Sequence, residues 1–345
     1  MAAKLPSAPN VAPALLGWYD THRRTLPWRV KSGETADPYR VWLSEVMLQQ
    51  TTVATVTPRF AAWVNRWPDF ASLAGAQEAD VMAAWAGLGY YARARNLVLC
   101  AKTVVAQYDG VLPQTEAGLR ALPGIGDYTA AAIAAIAFNR PATVVDANVE
   151  RVVARLFCLS NKRAINAAAM TLTPAVRAGD FAQAMMDLGS AICTPRTPRC
   201  PLCPLREQCS AVAAGETEAW PVKRAKPAKP TRYGTIFWAE NAGSVLLVRR
   251  PPKGLLGGMR ALPTGQWSAE APGLQDAPAI AGWMVLPETV DHVFTHFRAR
   301  LALAMARVER HAAPEAAIWW PIESLTQAGL PTVFAKAARV IGGLR

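Results

Sequence analysis

Two carboxylates stand in opposite settings. Glu45 lies inside the apolar stretch Tyr39-Arg40-Val41-Trp42-Leu43-Ser44-Glu45-Val46-Met47-Leu48. Loss of hydration there raises a carboxyl pKa and favours the protonated acid. Asp146 follows Val144-Val145 at the start of a helical stretch. Free backbone N–H groups and the positive end of the helix dipole favour a charged oxygen at that position. A protonated acid working with an ionised carboxylate is an arrangement that cleaves glycosidic bonds. On residue type alone, Glu45 is equally readable as a salt-bridged core residue and Asp146 as a plain helix cap.

A second constellation is made of thiols. Cys193-x6-Cys200-x2-Cys203-x5-Cys209 places four cysteines within 17 residues. Structural zinc sites join two short cysteine pairs across a longer loop. These short, unequal intervals suit an iron–sulfur cubane gripped from one side, so we read a [4Fe–4S] cluster in preference to zinc. Pro195, Arg196, Pro198, Arg199, Pro201 and Pro204 make the loop stiff and basic. Cys100 and Cys158 stand alone in apolar helical contexts and are expected as buried thiols.

A third signal is Leu122-Pro123-Gly124-Ile125-Gly126-Asp127-Tyr128-Thr129-Ala130, just before an alanine-rich run. Gly124 and Gly126 let backbone N–H groups approach a ligand closely, and the helix start adds its dipole. The two glycines alone are equally a plain helix connection, but with the flanking Leu-Pro and Thr-Ala they read as a unit that cradles phosphate and grips one DNA strand without reading its sequence.

The elements that must position these groups are legible in outline. A helix is expected to open at Asp37-Pro38, a cap followed by proline at the first helical position, and to run to Gln50. Another is expected after Asp146, with Val149, Val152, Val153, Leu156 and Phe157 on one stripe. From Trp18 to about Ala214 the chain reads almost wholly helical. Residues 219–239 then carry Lys223, Arg224, Lys226, Lys229 and Arg232 with no acid until Glu240, which reads as an exposed, extended linker. Tyr233–Ala239 and Ser244–Val248, joined through Asn241-Ala242-Gly243, read as a β-hairpin of an α+β domain.

Length and charge agree with this division. At 345 residues the chain has room for two domains, and 37 basic against 25 acidic residues leave a net charge of +12. The surplus points to a polyanionic partner. The apolar fraction of 52% is enough for a core in each domain, so disorder is excluded as the main state. No apolar run reaches the ~18 residues of a spanning helix. Residues 1–13 lack the apolar centre of a secretory signal, so a cytoplasmic, nucleoid-associated protein is expected. His22, His292, His296 and His311 show no ligand spacing.

Several further motifs carry a resemblance. They are Leu26-Pro27-Trp28-Arg29, Ser44-Glu45-Val46-Met47-Leu48-Gln49-Gln50-Thr51, Gly87-Leu88-Gly89-Tyr90-Tyr91-Ala92-Arg93, Asp146-Ala147-Asn148 and Met185-Met186-Asp187-Leu188-Gly189. With the hairpin and the cysteines, the first 215 residues resemble the helix–hairpin–helix, iron–sulfur DNA glycosylases, and within them the MutY type. The last part, with Arg249-Arg250-Pro251-Pro252-Lys253-Gly254 and Phe294-Thr295-His296-Phe297, resembles that family's MutT-like domain. The implied fold is mainly α: a two-part helical glycosylase domain (1–215) with the cluster loop at 193–209. A basic linker (216–232) and an α+β, Nudix-like domain (233–345) follow. The latter lacks the Arg-Glu-x-x-Glu-Glu pattern after Pro263, so it is expected to bind and not hydrolyse.

The resemblance implies excision of adenine paired with 8-oxoguanine or guanine in double-stranded DNA, by a monomer, leaving an abasic site. Glu45 would protonate adenine N7. Asp146 would stabilise the oxocarbenium-like sugar or capture it transiently. Tyr128 and Asn148 would position Asp146 and the sugar. Arg24, Leu26, Trp28, Arg29 and Asp187 would wall the adenine pocket. Gln50 and Tyr90 would wedge into the base stack, and Thr51 and Leu88 would contact the oxidised guanine. Thr295 and His296 would meet the lesion from the second domain. Endonuclease III-type lyases carry a nucleophilic lysine where Tyr128 stands, so strand cleavage by Schiff base is not expected. A bifunctional pyrimidine glycosylase/lyase and a non-catalytic DNA-binding protein are the competing readings. The family's usual Asp-Gly-Asn is Asp146-Ala147-Asn148 here, and Thr295 replaces a common serine.

Overall fold

The structure is a computed structural model that describes residues 10–31, 34–222, 228–251, 254–310, 314 and 317–343. It divides into two compact units, one of Met1–Ala76 with Asn96–Ala225 and one of Gln77–Arg95 with Lys226–Arg345. Of the basic linker, Lys223, Arg224 and Lys226 lie outside the described residues, as do Pro252, Lys253 and His311.

The first unit is helical. The helix Pro38–Leu48 opens as expected, with Asp37 accepting from the Tyr39 N–H at 2.9 Å. It ends two residues earlier than expected, because Gln50 turns into the left-handed region at φ 56°. The helix Asp127–Phe138 is small and apolar on nearly every side, so it is buried all round. It packs against both the Pro38–Leu48 helix and the helix Ala178–Ala191. The helix Ala147–Phe157 puts Val149, Val152, Val153 and Leu156 into a core shared with Leu15, Phe181, Met185 and Leu188. It stops at Cys158, which caps it in the left-handed conformation. That residue is half-buried, not sealed in the core as expected. Cys100 is buried, and burial pushes its thiol up to about 12.

The second unit holds a six-stranded sheet in the order β3-β2-β1-β5-β4, with β6 also paired to β2. The strands are β1 (Thr231–Asn241), β2 (Ser244–Arg249), β3 (Arg260–Ala261), β4 (Met284–Val293), β5 (Arg298–Arg307) and β6 (Ile318–Pro321). The expected hairpin exists but pairs only beside its turn, at Glu240↔Val245 and Asn241↔Ser244. Along the rest of its length β1 runs parallel to β5, while β2 diverges to β6 and β3. The helix Thr332–Gly343 packs Val333, Phe334, Ala337 and Ile341 against one sheet face. Between β3 and β4, residues 262–283 form no helix.

Candidate active site

In the first unit Glu45 and Tyr128 meet. Glu45 is buried in the Pro38–Leu48 helix, and the Tyr128 hydroxyl donates to its Oε2 at 3.1 Å. Burial pushes the Glu45 carboxyl up to about 7. The negative field of Asp146 adds to the rise, while the Tyr128 hydrogen bond and Arg29 oppose it. Glu45 is therefore about half protonated at neutral pH, which suits a proton donor.

Asp146 is the N-cap of Ala147–Phe157. Its Oδ1 accepts from the Val149 N–H at 2.7 Å, and its Oδ2 accepts from the Asn148 amide at 2.9 Å. Arg151 holds the other end of that amide, donating to Asn148 Oδ1 at 2.9 Å. The same guanidinium donates to the Gly189 carbonyl at 2.6 Å and the Cys193 carbonyl at 2.7 Å. A Cβ on Gly189 would lie 2.6 Å from Asn148 Cβ, so only glycine lets the two helices approach this closely. The Asn148 amide thus has one orientation, NH2 toward Asp146.

Asp187 is 1% exposed and lies between two arginines. Arg24 Nε donates to it at 2.6 Å, and Arg29 forks onto both oxygens at 2.7 and 3.0 Å. Trp28 is buried edge-on to Phe60 with ring centroids 5.3 Å apart, and Leu26 is half-buried beside it in the chain. Arg24, Arg29 and Asp187 thus form one braced cluster in which Asp187 is fully engaged in ion pairs.

The hairpin glycines differ. Gly124 has φ +78°, and a Cβ there would fall 2.7 Å from Asn96 Cβ. Gly126 is the exposed N-cap of Asp127–Phe138, and a Cβ there meets no protein atom. Its bare backbone leaves the helix N-terminus open to an anion. Gln49 ties the Pro38–Leu48 helix to this element by donating to Thr129 Oγ1 at 3.1 Å. Gln50 beyond it is exposed, and Thr51 is half-buried with its hydroxyl on the Gln49 carbonyl.

In the second unit Tyr90 stands at φ 46° and is 49% exposed. Its hydroxyl lies 2.6 Å from Thr295 Oγ1. His296 is exposed beside Thr295. Leu88 differs from the expectation: its side chain is buried, so it presents no surface to a base. The loop turns it inward while the Arg93 guanidinium holds the Leu88 and Gly89 carbonyls at 2.9 and 3.3 Å.

Among the described residues, no three or more His, Cys, Asp or Glu side chains are arranged to hold a metal ion. The four sulfurs of the 193–209 loop do not form the closed ligand set that their spacing suggests. Each of three has a competing hydrogen-bond partner. Arg155 donates to Cys193 Sγ at 3.3 Å, the Cys209 thiol turns to the Arg155 carbonyl at 3.5 Å, and Cys203 is bonded at the Leu205 backbone. All four thiols are nevertheless close enough to share a field. Burial chiefly, with the charges of Cys193, Cys209 and Cys200, pushes Cys203 up to about 11.

Arg151 and Arg155 are the residues that sequence reasoning missed. Both are buried on the helix whose apolar stripe was visible, and Arg155 also holds the Thr194, Pro195 and Trp220 carbonyls. Charges beside an apolar stripe read as a solvated face, and only their i, i+4 spacing hinted at a shared target.

The chain resembles known DNA repair proteins along most of its length. Residues 43–175 match the model of the HhH-GPD superfamily base excision DNA repair proteins, and residues 235–339 match the NUDIX domain. It is 34% identical to the adenine DNA glycosylase of Mus musculus, over 94% of this chain and 76% of the mouse protein. Identity to the adenine DNA glycosylase of Homo sapiens is 33%, over 96% and 73% of the two chains. The one from Mycolicibacterium smegmatis is 43% identical over 53% of this chain and 63% of its own. Among solved structures, a thermostable thymine-DNA glycosylase superposes with a TM-score of 0.54 at 30% identity, covering 59% of this chain and 95% of that one. Endonuclease III bound to DNA shares the fold, with a TM-score of 0.51 over 59% of this chain and 94% of its own, at 22% identity.

Proposed function

Because the chain belongs to the adenine DNA glycosylases, DNA-binding hydrolases of N-glycosyl bonds, we propose that it excises adenine mispaired with 8-oxoguanine, and less efficiently with guanine. The observation that carries the mechanism is the buried Glu45 acid, raised to about 7, with the Asp146 charge in its field.

Adenine is first extruded from the duplex. Protonated Glu45 gives its proton to adenine N7. The C1′–N9 bond then breaks with its electron pair leaving on the base, which departs neutral. Positive charge develops on the sugar, and Asp146 stabilises it or captures it transiently as an acetal. Water adds to C1′, any C1′–Asp146 bond breaking with its electron pair returning to the carboxylate, and loses its proton to the Glu45 carboxylate, which restores the acid. Tyr128 holds Glu45, and Asn148 holds Asp146. The wall of Arg24, Leu26, Trp28, Arg29 and Asp187 encloses the base. Tyr128 has no amine, so the reaction stops at an abasic site.

The hairpin of Gly124 and Gly126 grips the backbone. Gln50 and Tyr90 support the opened stack, and Thr51, Thr295 and His296 read the base opposite adenine. Glycosylases of the endonuclease III and MutY branch are generally iron–sulfur proteins. Cys193, Cys200, Cys203 and Cys209 are the residues that would hold a [4Fe–4S] cluster, their sulfurs exchanging the hydrogen-bond partners described above for iron, and the cluster would cross-link their loop and dock it on DNA. No catalytic step passes through it. Iron analysis tests this part, with roughly four irons per chain expected; stoichiometric zinc overturns it.

One assay tests the reaction. The full-length protein is incubated with a duplex carrying adenine opposite 8-oxoguanine, and products are resolved with and without hot alkali. Breaks that require alkali support a monofunctional glycosylase. Breaks without alkali indicate a lyase, and absence of base release leaves only a binding protein.

A further inference from the structure

Phe294 and Phe297 close the turn between β4 and β5, with Thr295 and His296 at its tip. The Phe294 N–H donates to the Phe297 carbonyl at 2.9 Å, and the two rings stack 4.8 Å apart at 24°. Trp267 and His292 flank Phe294, with centroids at 5.7 and 4.5 Å. The base of the turn is thus a rigid aromatic block that leaves both tip residues exposed.

Two cations fasten that block from outside, and both come from the basic stretch that leads into β1. Lys229 Nζ donates to the Phe294 carbonyl at 2.8 Å. The Arg232 guanidinium lies over the Phe297 ring, 4.7 Å from its centroid. One cation therefore holds the entry of the turn and the other its exit. A chain segment that reads as a solvated tether ends on the recognition turn itself.

We propose that Lys229 and Arg232 are positioning residues for recognition of the base opposite adenine, fixing the turn that presents Thr295 and His296. The inference rests on the assignment of that turn as a reader of the opposite base. A carbonyl cap and a cation–π contact both restrain backbone without touching DNA, so their loss loosens discrimination more than general affinity. The two contacts are complementary. Lysine suits a single carbonyl, and the planar guanidinium suits a ring face.

The test uses full-length protein and duplexes with a non-hydrolysable adenine analogue opposite 8-oxoguanine or guanine. The readout is the Kd for the guanine duplex divided by the Kd for the 8-oxoguanine duplex. The double variant Lys229→Met/Arg232→Gln is expected to lower that ratio about fivefold, the scale of one exposed cation–π contact. The exchange Lys229→Arg/Arg232→Lys is expected to restore only part of it, because the ring contact favours the guanidinium. Thr295→Ala serves as the reference for the turn. If Thr295→Ala lowers the ratio and the double variant does not, the positioning role is wrong and the turn's reading stands. A double variant that weakens both duplexes equally also overturns the proposal, since the cations then act on the backbone alone. If Thr295→Ala leaves the ratio unchanged, the turn does not read the base and both claims fall.

Discussion

Tyr128 donates a hydrogen bond to Glu45, yet the Glu45 carboxyl stands at about 7. The bond favours the charged carboxylate, and burial outweighs it. Burial therefore sets the acid near neutrality, and the tyrosine trims it. Glycosidic cleavage by this acid is expected to decline about tenfold per pH unit above 7. A single-turnover profile on the A:8-oxoguanine duplex checks it, and a rate flat to pH 9 refutes the assignment of Glu45 as the donor.

Tyr128→Phe removes the one hydrogen bond that lowers the Glu45 pKa. The alkaline limb of the same profile is expected to move to higher pH, even as the maximal rate falls. A limb that moves to lower pH contradicts the balance of burial against hydrogen bonding described above.

Glu45→Gln is expected to abolish excision while mispair binding persists. The same change is expected to stabilise the fold in alkali. A carboxyl raised from 4.5 to about 7 keeps its full native-state contribution below pH 4.5 and loses it as pH rises through 7. Above pH 7 the ionised glutamate costs about 3 kcal/mol that glutamine does not, by the worth of each pKa unit. Denaturant midpoints compared at pH 5 and pH 8 check this: the two proteins should be close at pH 5 and separate at pH 8.

These groups were legible in the sequence to different depths. Glu45 stands out because an acid in an apolar helical run is conspicuous, and Asp146 because it precedes one clear apolar stripe. The left-handed turn at Gln50 was not legible, since nothing in Gln-Gln-Thr-Thr demands a helix end. The parallel pairing of β1 with β5 was hidden for another reason. Residues far apart in sequence set it, and local alternation reveals a strand without its partner. The burial of the Leu88 side chain was not legible, because a loop motif gives no side-chain direction. Arg151 and Arg155 were hard to see because most of their partners are backbone carbonyls, which every residue carries.

Gly126→Ala and Gly124→Ala separate folding from docking. Alanine at 126 meets no protein atom, so the melting temperature is expected to hold while DNA affinity falls. Alanine at 124 must adopt φ +78° and meet Asn96, at about 1–3 kcal/mol of strain. It is expected to lower both stability and affinity. Equal DNA affinity of Gly126→Ala and the parent protein argues against a phosphate at this helix start.

Arg151→Lys tests whether Asn148 is held from behind. Lysine keeps the charge but cannot reach the Asn148 amide, the Gly189 carbonyl and the Cys193 carbonyl together. Freed of its anchor, the amide can turn its oxygen toward Asp146, which replaces a hydrogen bond with a repulsion. Misplacement of this kind lowers a rate by roughly 100-fold. The loss should fall on the single-turnover excision rate, with Kd for a duplex carrying a non-hydrolysable adenine nearly unchanged. If Asn148 needs no such support, Arg151→Lys will excise adenine at the parent rate, and the contacts of Arg151 serve only to fasten the Ala147–Phe157 helix to the loop at Cys193.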